Sequence, residues 1–182
     1  KGNPAYAASK AGAVSLTKGA STVFAWTYSA IGTGTVTFSA FATGTDANSG
    51  GQVGSPSGVG PAVAVQLPVI LQATGISALP SLQGTGGPVT VVMSVANAGQ
   101  ATALNVSPAA ALGVNGPGSA AFASGPSPAV VATLAGGASA QFTWVYTATA
   151  PTSVSFSGVV LALDVNDGVT STAVSGASNS VT

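Results

Sequence analysis

Across residues 22–29, large apolar side chains alternate with small ones. Phe24, Trp26 and Tyr28 fall on one face, and Val23, Ala25 and Thr27 on the other. A period of two predicts a half-buried β-strand. The same alternation returns over 141–147, where Phe142, Trp144 and Tyr146 share a face, and over 88–95, where Val89, Val91, Met93 and Val95 do. Shorter strands are expected at 62–66, with Val63 and Val65, at 103–107, with Leu104 and Val106, and at 130–134. Residues 35–42, carrying Val36 and Phe38, and 153–163, carrying Phe156, read as the returning arms of hairpins with the aromatic strands before them. Residues 1–15 and 109–127 are rich in Gly, Pro and Ala and read as surface connections, and 170–182 as the closing strand. Nothing repeats at a helical period. Short strands punctuated by Gly, Pro and Asn turns predict an all-β, antiparallel β-sandwich.

The alternation also repeats at long range. Phe24, Trp26, Tyr28, Phe38, Asp46 and Asn48 match Phe142, Trp144, Tyr146, Phe156, Asp164 and Asn166, each at an offset of 144 − 26 = 118 positions. An internal period of that size indicates a tandem unit. The first unit holds no counterpart of residues 88–97 or 104–106, so the chain is expected to span about one and a half units. The expected layout is a partial sandwich at 1–66, a linker at 67–75 and a near-complete sandwich at 76–182. A half sandwich leaves one core face and a strand edge without cover. The strands bearing Val63, Val65, Val91, Met93 and Val95 are therefore the candidates for assembly, with strands from a neighbouring subunit or repeat completing the partial unit.

Charge changes this picture by its scarcity. Charged residues make up 3% of the chain, against about 25% in typical soluble proteins. They comprise Lys1, Lys10 and Lys18, and Asp46, Asp164 and Asp167; Arg, Glu, His and Cys are absent. A nucleic-acid partner is not expected, because no cationic side chain follows Lys18 to neutralise phosphates. Without His or Cys there is neither the usual zinc ligand set nor a disulfide framework. The longest apolar runs are too short and too broken by Thr and Ser for a membrane-spanning helix. No secretory leader is visible, so the chain reads as mature or trimmed. A near-neutral surface favours association.

Residues 89–106, with their alternating strand, the Asn97-Ala-Gly99 turn and a second strand, resemble the opening of bacterial and archaeal CARDB-like, Ig-type repeat domains. Residues 134–144, where Gly136-Gly137 leads into an aromatic strand, resemble another part of the same families. The resemblance covers 76–182 in full and 10–66 in part. It implies an Ig-like sandwich in an extracellular or cell-surface structural or adhesive protein with tandem repeats, and it carries over no catalytic residue.

Candidate chemistry is sparse. Asp46 with Asn48, and Asp164 with Asn166 and Asp167, offer oxygen ligands for Ca²⁺, but one or two carboxylates is a thin set. The same residues serve equally as turn formers. Trp26, Tyr28, Trp144 and Tyr146 can stack on sugars, but sharing a face with Phe24 and Phe142 marks them as core. Lys10 or Lys18 are candidates for an isopeptide staple in the first unit only. No base is present to activate a Ser or Thr nucleophile, so an enzyme is not expected. The many hydroxyls can carry O-linked sugars. Two expectations result. One is a self-associating fibre, sheath or stalk protein; the other is a carbohydrate- or surface-binding accessory module.

Overall fold

A computed structural model describes residues 4–7 and 12–182, and among them every regular element is a β-strand. The chain divides into two compact units, Lys1–Gln66 and Leu67–Thr182. Among the described residues no helix is long and apolar enough to cross a membrane.

The second unit is a sandwich of two four-stranded antiparallel sheets. Its strands are β9 (Leu71–Leu79), β10 (Pro88–Asn97), β11 (Ala103–Pro108), β12 (Gly113–Asn115), β13 (Ala120–Ser127), β14 (Val131–Leu134), β15 (Ser139–Ala148), β16 (Ser155–Ser157), β17 (Val159–Asp164) and β18 (Thr170–Val174). One sheet runs β13-β15-β10-β9 and the other β14-β11-β17-β18, with β12 and β16 as a separate pair. Alternation determines which side chains face inward. Val89, Val91, Met93 and Val95 of β10 and Phe142, Trp144 and Tyr146 of β15 are buried, and Val106 and Val160 of the other sheet and Phe156 of β16 join them in one core. Burying each such side chain contributes about 1.5–3 kcal/mol.

Three expectations change here. Residues 67–75 are not a linker, because Val69 and Leu71 are both 6% exposed and belong to the core. Residues 109–127 are not one surface connection, because β13 adds an edge strand beside β15. The aromatic strand and its successor are not a hairpin: β15 lies in one sheet and β17 in the other, so the chain between them crosses the sandwich. Sequence alternation fixes which face is apolar, but it does not say which strand is the hydrogen-bonding neighbour.

The first unit holds β1 (Pro4–Ala7), β2 (Thr27–Ala30), β3 (Gly34–Val36), β4 (Ser39–Ala40), β5 (Thr43–Thr45), β6 (Gln52–Gly54), β7 (Gly58–Val59) and β8 (Val63–Val65). Among the described residues these form only two-stranded pairs: β1 with β2, β3 with β8, β4 with β7 and β5 with β6. Here too the expected hairpin of β2 with the following strand does not form.

Candidate assembly surface

Several pairings and turns recur 118 positions apart in the two units. Val36 pairs with Val63, and Val154 with Val181. Thr43, Gly44 and Thr45 face Gly54, Val53 and Gln52 in the register that sets Leu161, Ala162 and Leu163 against Thr172, Ser171 and Thr170. The Gly60 amide donates to the Phe38 carbonyl as the Ser178 amide does to Phe156, each at 2.8 Å. Rings agree as well. Phe24 and Trp26 lie 6.3 Å apart and Phe142 and Trp144 6.5 Å; Tyr28 and Phe38 lie 4.6 Å apart and Tyr146 and Phe156 4.7 Å. At the strand before, Tyr6 stands opposite Tyr28 as Phe122 stands opposite Tyr146, an offset of 122 − 6 = 116 that the constant spacing does not reveal.

What differs is the cover. Phe142, Trp144 and Phe156 are fully buried, whereas Phe24 is 37% and Trp26 43% exposed, and Tyr28 and Phe38 are half-buried. Phe24 and Trp26 thus depart from the expected core role, for one physical reason. In the second unit β10 lies beside β15, with Val89, Val91 and Met93 opposite Tyr146, Trp144 and Phe142. In the first unit residues 21–26, the counterpart of 139–144, have no strand partner among the described residues and take no strand conformation, so the expected strand shrinks to Thr27–Ala30. A strand without a ladder partner leaves its backbone groups to water.

The open face includes an apolar groove of about 280 Å³ lined by Tyr28, Ile31, Val36, Phe38, Val63 and Val65. Val63 is 48% exposed and Val65 half-buried. On the matching rim of the second unit, Gln83 and Thr182 join by backbone hydrogen bonds, as do Ser81 and Thr182, and Gly86 and Gly87 bond Ala148. The expected assembly residues therefore divide. Val63 and Val65 belong to the open face, while Val91, Met93 and Val95 are 0% exposed inside their own sandwich.

The acidic residues act as turn and anchor groups. Asp46 Oδ1 accepts from the amides of Ser49 at 2.8 Å and Asn48 at 2.9 Å, which holds its carboxyl below the ordinary value. Gly50 and Gly168 take φ of +68° and +71° in the two matching turns, a conformation in which a Cβ is strained. Asp164, 3% exposed, uses both oxygens: Oδ1 accepts from Asn166 at 2.8 Å and Oδ2 from Val69 at 2.7 Å. Asp167 Oδ1 accepts from Val169, and Asn48, Asn166 and Asp167 are exposed. Among the described residues no three carboxylates, imidazoles or thiolates come together. Lys18 sits exposed in a tight turn, and Lys10 lies outside the described residues.

Sequence reasoning missed the group that locks the second unit. Asn97 is fully buried; its amide donates to the carbonyls of Ala101 at 2.8 Å and Leu134 at 3.1 Å and accepts from Gly99 at 3.1 Å. The Asn-x-Gly spelling identifies a turn, but only packing reveals that its side chain ties strands together across the fold. Tyr146 is the second such group. Its hydroxyl accepts from the Leu112 amide at 2.6 Å, and burial pushes the phenol up against the opposing pull of that bond.

No protein-family model matches this chain, and no curated protein is significantly similar to it.

Proposed function

We propose that this chain is a structural module of an extracellular or cell-surface fibre, sheath or adhesin stalk, built of Ig-like β-sandwich units of which it spans about one and a half. The observation that carries the reading is the open face of the first unit. The same aromatic ladder is buried in the second unit and uncovered here, so the first unit completes itself only against added β-strands, from a neighbouring subunit or repeat. The resemblance of residues 89–106 and 134–144 to CARDB-like repeat segments points the same way. So does a chain with so few charges, whose small side chains allow close lateral contact. Its role is mechanical and not catalytic: Asp46 and Asp164 are committed to turns, and no His or Cys is present to serve as base or nucleophile.

Tandem arrays of this sequence test the proposal. By electron microscopy they should form thin rods whose length grows in proportion to the number of repeats; globules of constant width would overturn it. A second reading, a carbohydrate-binding accessory module, draws on the exposure of Phe24 and Trp26. It requires saturable quenching of Trp26 fluorescence by a soluble glycan, which the structural reading does not expect.

A further inference from the structure

We infer that the open face of Lys1–Gln66 is the seat of a segment built like residues 67–108, delivered from the N-terminal side within the same full-length polypeptide; this rests on the structural reading above. The second unit displays the fit. There residues 67–108 supply β9, β10 and β11, and β10 lies along β15 in one continuous register. Because the rings, turns and bridges of the first unit coincide with those of the second, the register transfers position by position. The residue equivalent to Val91 stands opposite Trp26, the one equivalent to Met93 opposite Phe24, and the one equivalent to Val92 opposite Ala25.

A pair of matching carboxylates marks the same place. Asp164 Oδ2 holds the Val69 amide at 2.7 Å, at the point where the covering segment enters. Asp46, its counterpart, accepts the amides of Asn48 and Ser49 within its own turn, and among the described residues no amide comes to it from a covering segment as that of Val69 comes to Asp164. A segment entering as residues 67–71 do would bring that amide. The opposite rim, where Ser81 and Gln83 hold Thr182, has its equivalent at Ala64 beside the groove.

A second copy of the chain is the weaker source. Its own residues 67–108 are already buried, with Val89, Val91, Met93 and Val95 at 0% exposure. Moving them to another copy would uncover as much as it covers. In the second unit, moreover, the covering segment directly precedes what it covers, an arrangement that costs little loop closure.

The test adds residues 67–116 ahead of the full 182-residue chain. In the parent chain acrylamide should quench one tryptophan, Trp26, and spare the other, Trp144, as their exposures of 43% and 0% require. The extended chain should lose the quenchable fraction. With Val92→Cys in the added segment and Ala25→Cys in the first unit, a single disulfide should form, the natural sequence having no cysteine; Thr90→Cys paired with Ala25→Cys should not link. A control segment with the alternation of 89–96 shifted by one residue moves its apolar set to the wrong face and should leave Trp26 quenchable. Persistent quenching of Trp26 or no cross-link, in a protein whose Trp144 stays protected, would overturn the inference. So would protection of Trp26 in the parent chain that rises with concentration alongside a dimer, which would assign the cover to a second copy. Rod formation by arrays is read separately, so the structural reading can survive failure of this assignment.

Discussion

Replacing Asn97 by Ala should destabilise the second unit more than truncating any exposed side chain of the protein. The substitution removes the amide that serves the carbonyls of Ala101 and Leu134 and the Gly99 N–H, all within 3.1 Å, from a side chain with no solvent exposure. A buried group left without its partner costs about 1–3 kcal/mol. Three such groups, two of them carbonyls with a second lone pair, sum to roughly 3–5 kcal/mol. That is a large part of the ~5–15 kcal/mol that holds a domain folded. Urea unfolding of the full chain followed by circular dichroism should show the midpoint falling with little change in slope. Asn97→Asp sharpens the test. A carboxylate there faces two carbonyl oxygens, so its folded pKa must rise above the ordinary value of about 3.9. The Asp variant should be closest to the natural protein below that value and lose stability as pH rises through the folded pKa. A loss under about 1 kcal/mol for Asn97→Ala would refute the claim that Asn97 is a satisfied buried hub.

Three further outcomes are expected. Gly99→Ala places a Cβ onto the Pro68 carbonyl oxygen and 3.0 Å from the Ile70 nitrogen; it should cost about 3 kcal/mol in urea melts, while Gly84→Ala, with nothing within 4 Å, should stay within ~1 kcal/mol of the parent. The Asp46 turn is tied together by amide bonds to an ionised carboxylate, so its support is present above the ordinary value of 3.8 and is lost as pH falls through the lower folded value; the Asn48 and Ser49 amide resonances should shift there, and in Asp46→Asn they should not titrate. Tyr146 is raised by burial, so the second unit should lose stability as pH climbs above the ordinary value of 10.0; phenolate absorbance should show one tyrosine ionising late, and Tyr146→Phe should abolish that late step and cost about 1–3 kcal/mol by orphaning the Leu112 amide.

Much of the design is legible in the sequence by itself. Alternation at 88–95 and 141–147 gave two core strands, because a strand with one buried face must place its apolar residues at every second position. The 118-residue spacing gave the recurrence of turns and rings, since identical local chemistry makes identical local geometry. Asp and Asn before Gly gave the turns at 46–51 and 164–169. Other features were decided only in three dimensions. That the chain crosses from one sheet to the other between β15 and β17, that 67–75 is core and that 120–127 is an edge strand all depend on non-local pairing, which no local period encodes. The sharpest case is Trp26 against Trp144. Each stands between a Phe and a Tyr two positions away, with nearly the same spacing to the Phe ring, yet one is 43% exposed and the other buried. Burial belongs to whatever lies opposite: β10 lies beside Trp144, and no strand among the described residues pairs with the backbone at Trp26.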